Sequence, residues 1–360
     1  MRQFGEEQLE DLAIGAAVLG TGGGGNPYVG KLLARAALRE HGPVTIVDVD
    51  EVPDDAVVVP SAFMGAPTVL VEKLPRGDEA LRAFEALQTH LGRAITHTMP
   101  IEAGGLNSVT PFMVASQLKI PIVDADGMGR AFPEVQMVTA TVYGIAATPM
   151  ALADEKGNRV VLDQTLDNRW TERFARSITV DMGSTAVIAQ YPLSGRQLKE
   201  AMVPGTLSLA EELGRLVRRA RARHGDPIEA IAGRLHGHRL FTGKVTDVAR
   251  RTTAGFVRGE ATIEGMAECT GATMTLEFQN EHLVARADGE VLASVPDLIM
   301  VLDAETGEPT TTEDMRYGFR VAVLGAPCDP RWRTEAGIAL VGPRYFGYDF
   351  DFIPVEERVR

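Results

Sequence analysis

The periodicity of this chain changes once, near residue 235, and that change constrains the fold more than any other feature. Up to it, amphipathic helical patterns alternate with short β-branched runs; beyond it, short alternating runs separated by turns dominate. The first pattern predicts an α/β unit with a largely parallel sheet covered by helices on both faces. The second predicts a β-barrel or sandwich. The expected division is residues 1–235 and 236–360, with the last residues free to return to the first unit.

In the first part, Leu9, Leu12, Ala13, Ala16 and Leu19 recur at helical spacing and run into Gly20–Gly25. Asn26 and Pro27 then read as an N-cap followed by proline at the first helical position. Strands are expected over 44–49, 56–59, 94–101 and 120–123, and helices over 78–91, 108–118, 194–202, 208–223 and 227–235. No element is assigned between 135 and 193. In the second part, strands are expected over 240–248, 255–263, 273–278, 283–286, 291–294, 298–302 and 319–324. The helix over 208–223 carries Arg215, Arg218, Arg219, Arg221 and Arg223, read as a solvated face opposite Leu209, Leu213, Leu216, Val217 and Ala220.

Composition narrows the function classes. The net charge of −13, from 49 acidic against 36 basic residues, repels phosphate backbones, so a nucleic-acid partner is not expected. With two cysteines, Cys269 and Cys328, a disulfide framework and a four-cysteine zinc site are both excluded, and a reducing compartment is favoured. No apolar run approaches the roughly 18 residues of a membrane helix, and residues 1–7 lack the pattern of a secretory signal. The expectation is a cytoplasmic protein, without membrane contact, acting on something small; its size and acidic surface permit a homo-oligomer.

The glycine run contains Gly20-x-Gly22-x-x-Gly25, which formally matches a dinucleotide fingerprint. That fingerprint needs a preceding strand, and a helix is read there instead. What survives is a cradle: Gly22, Gly23, Gly24 and Gly25, with Asn26 at a helix start, expose backbone N–H groups to an anion or oxyanion. The densest chemistry lies between residues 102 and 134. Glu102-Ala-Gly-Gly-Leu-Asn107 follows one expected strand, and Asp124-Ala-Asp126-Gly-Met-Gly-Arg130-Ala-Phe-Pro-Glu134 follows the next. In an open α/β sheet, ligands bind beyond the carboxyl ends of the strands, so both segments are expected to converge on one crevice. Asp124 and Asp126 read as paired carboxylates that suit a divalent metal, with Glu102 as a third candidate ligand, or that divide into acid and base. Asp-x-Asp-Gly is also ordinary turn chemistry. His236 and His238 read as solvent-facing, and His90 and His97 as structural.

Three stretches resemble one family: Leu19-Gly-Thr-Gly-Gly-Gly-Gly-Asn-Pro-Tyr28, Glu102 to Asn107, and Asp124 to Glu134. Later segments agree, among them Phe278-Gln-Asn-Glu281 and Gly342-Pro-Arg-Tyr-Phe-Gly-Tyr348. The chain resembles the S-methyl thiohydantoin desulfurase-like family, long catalogued as a domain of unknown function and associated with hydantoinase- and oxoprolinase-type proteins. The resemblance implies a three-layer α/β/α sandwich domain joined to a C-terminal β-barrel-like domain. It also implies hydrolytic removal of a sulfur substituent from a five-membered thiohydantoin ring, and it assigns no catalytic residue.

The expected activity is hydrolysis of a small cyclic amide or amidine, by water addition, a tetrahedral intermediate and thiol release. Such chemistry needs a base, an acid and a stabiliser of developing charge. Asp124 or Asp126 is the expected base or metal ligand, Glu102 its partner, Arg130 the charge stabiliser and Glu134 a further member. Gly22–Gly25, Asn26, Asn107, Asn280 and Glu281 are the expected substrate contacts. On this reading, asparagine at Asp124 or Asp126 abolishes turnover and spares the fold. The alternative is a non-catalytic ligand-binding subunit that partners a hydantoinase-type enzyme.

Overall fold

Eleven strands precede residue 235 among the described residues, and the order of their pairing decides where a site can form. The computed structural model describes residues 1–65, 69, 76–253 and 256–359. In chain order the strands are β1 (Arg2–Phe4), β2 (Val44–Val47), β3 (Val57–Gly65), β4 (His97–Pro100), β5 (Ile122–Val123), β6 (Ala125–Asp126), β7 (Met150–Ala153), β8 (Arg159–Leu162), β9 (Thr185–Ala189), β10 (Leu193–Ser194) and β11 (Val203–Pro204). Nine of them form one sheet in the order β1-β2-β5-β4-β3-β9-β7-β8, with β10 also paired to β3; β6 and β11 pair separately.

The β2–β5, β5–β4 and β4–β3 pairs are parallel, whereas β1–β2, β3–β9, β9–β7, β7–β8 and β3–β10 are antiparallel. The sheet is therefore mixed, which corrects the largely parallel expectation. The cause is the stretch without an assigned pattern, which supplies β7, β8 and β9. A short turn joins β7 to β8, and a hairpin can only be antiparallel. Asp154 holds that turn by accepting the N–H groups of Lys156, Gly157 and Asn158 at 3.0, 2.9 and 2.8 Å.

Alternation along these strands buries both faces of the sheet. Val57 and Val59 of β3, Ala151 and Ala153 of β7, and Val187 and Ala189 of β9 share one core with Phe84, Leu87, Met113 and Val114. The helices Glu79–Leu91 and Thr110–Leu118 supply those last four residues. Val58, Ala62, Leu152 and Ile188 point into the opposite core.

Beyond residue 235 the strands β12 (His238–Thr253), β13 (Phe256–Gly265), β14 (Thr273–Gln279), β15 (Glu281–Ala287), β16 (Glu290–Ser294), β17 (Leu298–Asp303) and β18 (Arg320–Ala326) follow. They form an antiparallel sheet in the order β16-β15-β14-β13-β12-β18-β17, curled into a half-barrel. Ile299, Val301, Val321 and Val323 fill its inside. The alternate residues Leu298, Met300, Leu302, Ala322, Leu324 and Ala326 join the core of the first region instead. The half-barrel is thus fixed to the α/β region by the outer faces of β17 and β18.

Two devices position the glycine loop between these regions. The helix Leu9–Leu19 crosses the helix Thr206–Ala222 at backbone contact, since a Cβ added at Gly15 would stand 1.7 Å from the Ala210 carbonyl oxygen. Of the arginines on the second helix, Arg215, Arg218 and Arg221 pair with Glu211, Asp11 and Glu308, in keeping with a structural face. The chain after β18 then returns to the 128–134 loop. There the buried Trp332 donates from Nε1 to the Met128 carbonyl at 2.7 Å and meets Phe132 edge-on, with ring centroids 5.2 Å apart. Among the described residues, no helix is long and apolar enough to cross a membrane.

Candidate active site

A cavity of about 80 Å³ opens over one face of the first sheet. Ala62 and Met64 of β3 and Ile188 of β9 form its floor, because Ala62 and Ile188 are register partners and Met64 lies two residues along on the same face. Phe132, Pro133 and Val135 close one side, Gly24 and Gly25 another, and Asn280 and Glu281 reach in from the half-barrel. Seven residues expected from sequence therefore meet here: Gly24, Gly25, Glu102, Asn107, Glu134, Asn280 and Glu281.

Glu102 comes just after β4, at the carboxyl end of a parallel strand. Its Oε1 accepts from Asn107 Nδ2 at 2.6 Å, and its Oε2 receives only a long 3.3 Å contact from the Phe132 N–H. Burial dominates and pushes its pKa up to about 7, against the opposing pull of these donors and of Arg130. Asn107 is itself fixed to β3, accepting the Phe63 N–H at 2.8 Å. Glu281 is pushed well above the carboxylate range, first by burial and then by the charge of Glu102. Its Oε2 is buried with no hydrogen-bond partner among the described residues, so a proton carried there has no protein acceptor. Glu134 is held by Gln136 Nε2 at 2.5 Å and the Tyr345 hydroxyl at 2.8 Å. Asn280 occupies the left-handed region, with φ 59°, between β14 and β15, and its Oδ1 accepts the Val257 N–H at 2.8 Å.

The glycine loop is a crossing point of two backbones. A Cβ at Gly24 would stand 2.4 Å from Gly104 Cα, and one at Gly25 would stand 2.6 Å from Leu106 Cβ. The Gly24 carbonyl accepts from the N–H groups of Leu106 and Asn107 at 2.9 and 3.2 Å. The N–H groups of Gly24 and Gly25 carry no hydrogen bond among the described residues, and both residues line the cavity. Gly22 and Gly23 serve packing: their missing side chains make room for the His282 ring and the Glu281 carboxyl. Asn26 caps the helix Pro27–His41, accepting from Tyr28 and Val29 at 2.9 and 3.2 Å.

Three of the strongest expectations lie outside the cavity lining. Asp124 faces the N-terminus of the helix Thr206–Ala222, where Oδ1 accepts from Leu207 and Ser208 N–H at 2.9 and 3.1 Å and Oδ2 accepts the Ser208 hydroxyl. It is a helix cap, which satisfies donors that the helix leaves free. Asp126 is fully buried, and its Oδ1 takes the N–H groups of Met128 and Gly129 at 3.1 and 2.7 Å. Burial, followed by the charges of Glu102 and Asp329, raises its pKa well above the usual value. Arg130 spends every donor group inside the protein, on the carbonyls of Ala131, Pro296, Asp297 and His282 and on the Thr21 hydroxyl, at 2.6 to 3.1 Å. Its guanidinium ties the glycine loop to the half-barrel and has nothing left for a substrate anion. Glu102, Asp124 and Asp126 bond three separate sets of donors. Among the described residues, no group of three or more His, Cys, Asp or Glu side chains is arranged to hold a metal ion, and the three candidate ligands are not brought together.

Two polar residues of the cavity had no sequence motif. Arg176 lies on the helix Asn168–Asp181 and bonds Glu172 at 2.7 Å and the Pro133 carbonyl at 3.1 Å. That helix had a legible start, since Asp167 caps it by accepting the Trp170 N–H at 2.9 Å. Gln190 follows β9, and no local pattern marks it.

Two family models match the chain: the S-Me-THD-like N-terminal domain over residues 7–164 and the S-Me-THD-like C-terminal domain over residues 166–355. They meet between β8 and β9, inside the nine-stranded sheet, rather than at the change of period near residue 235. A crystal structure of a protein from Chromobacterium violaceum is 27% identical, with a TM-score of 0.81 over 99% of this chain and 100% of that one. A tRNA modification GTPase MnmE from Cereibacter sphaeroides is 30% identical over 99 residues, 28% of this chain. The chain spans 21% of that curated relative.

Proposed function

The chain belongs to the S-Me-THD-like family, and from that premise we propose a hydrolase of small cyclic amides or amidines, best suited to an S-methyl thiohydantoin. One observation carries the reading: Glu102 and Glu281, two buried carboxyls with raised pKa values, share one small cavity. Two carboxyls whose environments differ divide into base and acid. With its pKa near 7, Glu102 is substantially ionised at neutral pH and takes the proton of an attacking water. Glu281 stays protonated and donates to the ring nitrogen.

The steps balance without a further reactant. Water oxygen bonds to the ring carbon that bears sulfur, Glu102 receives one water proton, and Glu281 protonates the adjacent ring nitrogen. As the tetrahedral carbon re-forms a carbonyl, the carbon–sulfur bond breaks. The hydroxyl proton returns to Glu281, and Glu102 delivers its proton to the departing thiolate. The products are a hydantoin and methanethiol. The N–H groups of Gly24 and Gly25, unbonded among the described residues of the cavity lining, are the donors for charge that develops on the ring substituents.

The test is thiol release by the purified chain across a panel of S-alkyl thiohydantoins. Release that disappears in Glu102→Gln supports the proposal. Ring binding without any release across the panel overturns hydrolysis and leaves the ligand-binding subunit.

A further inference from the structure

We infer that Gln190 is the residue that reads the ring, by pairing its side-chain amide with a cis N–H/C=O edge of a lactam. This deepens the hydrolase reading by naming the feature the substrate must present, and it rests on that reading for the identity of the ring.

Gln190 is 2% exposed and lines the cavity. Its backbone is fixed, donating to the Pro60 carbonyl at 3.1 Å. Its side chain makes no hydrogen bond among the described residues, and Oε1 is buried without a donor. A buried amide oxygen without a donor is costly and uncommon in a folded protein. Here the amide belongs to a residue at the border of a cavity, where a ligand can supply the missing donor.

The shape of the amide selects the ligand. A primary amide presents one donor and one acceptor side by side. Two parallel hydrogen bonds form with a partner whose N–H and C=O lie on the same side of the amide bond. A five-membered ring enforces that cis arrangement, whereas linear peptides hold theirs trans. Carboxylate ligands lack the donor that Oε1 requires and would also meet Glu102 and Glu134 in the same cavity. Cyclic lactams are therefore admitted, while linear secondary amides and acids are refused.

The experiment is calorimetric titration of the full chain with hydantoin and with 1,3-dimethylhydantoin, which keeps the ring and removes both N–H donors. The parent is expected to prefer hydantoin by about tenfold to a hundredfold, because a site built for a hydrogen bond rejects an analogue without it. Gln190→Met, of similar length and without polar ends, is expected to bind the two within about threefold. It should also melt at or above the parent temperature, since it removes an unpaired buried amide. Gln190→Leu repeats the test with a second apolar side chain. A preference retained in either folded variant, or a parent that does not discriminate, overturns the inference. The two proposals fail separately: an inactive chain whose preference still depends on Gln190 overturns hydrolysis alone, and an active chain with an unchanged preference in Gln190→Met overturns the role of Gln190 alone.

Discussion

The ends of β4 and β5 are neighbours in the sheet, and each is followed by a buried acid, yet the two acids have opposite surroundings. Asp124, after β5, accepts two backbone N–H groups and a hydroxyl at a helix N-terminus. Glu102, after β4, has one short side-chain donor and one long backbone contact, and it borders a cavity. Placement at a strand end is therefore insufficient to make a carboxylate chemical. What separates the two is whether the protein has already saturated the oxygens. A saturated carboxylate holds structure together, and a partly bonded one in a cavity is free to exchange a proton.

The sharpest break of that comparison is a pair of substitutions read for both rate and stability. Glu102→Gln keeps the size and removes the charge, so thiol release should fall by about 10²–10⁴-fold, with a melting temperature at or above the parent's. A variant with near-parental rates moves the chemistry elsewhere. Arg130 gives the largest effect on the other side of the ledger. Arg130→Met strands four carbonyls and leaves buried carboxyls without their cation, so denaturant unfolding should show a loss of about 3–5 kcal/mol. A loss below about 1 kcal/mol would mean that the guanidinium is not the clamp between the two regions.

The pH dependence sharpens the comparison from a second direction. Because Glu102 must be ionised to act as base, kcat/KM should rise roughly tenfold per pH unit below about 7 and level off above it. It should fall again at higher pH as Glu281 loses its proton. Stability should run the opposite way. A carboxyl whose folded pKa lies above its unfolded value contributes fully below pH 4.5 and loses that contribution as pH rises through 7. For Glu102 this is on the order of 3 kcal/mol. Unfolding titrations of the parent and Glu102→Gln should differ in slope across that window; identical slopes would show that the buried carboxyl does not titrate there.

The smallest effect is expected at Asp124. Asp124→Asn retains one acceptor for the helix N-terminus, so stability should drop by about 0.5–2 kcal/mol while the rate per folded molecule stays within about threefold. Abolished turnover in a variant that melts like its parent would restore the aspartate to the chemistry and undo the contrast with Glu102.

Much of the architecture was legible because it depends on local rules. The spacing of Leu9, Leu12, Ala16 and Leu19 fixed the first helix, Asn26-Pro27 its successor, and the switch to period two beyond residue 235 the half-barrel. Of the site, Glu102 and Asn107 were legible as polar residues beside glycines after a strand, and Asn280 and Glu281 as polar residues on a turn of the β-rich region. The stretch 135–193 was not read. Its strands are short, and Met150–Ala153 is buried on both faces, so neither period stands out.

Outside 135–193, sequence by itself determined most of the segments that form helices and strands, and it singled out the loops that carry polar side chains. It could not determine how those side chains spend their hydrogen bonds. Asp124 is a cap because a helix more than eighty residues later brings Leu207 and Ser208 to it. Arg130 is a clamp because Pro296, Asp297 and His282 arrive from the half-barrel. Gln190 Oε1 has no donor among the described residues because β3 and β9 set this residue at the border of a cavity that other segments complete. Burial and donor supply at a given atom are sums over distant segments of the chain, and they acquire values only when those segments pack.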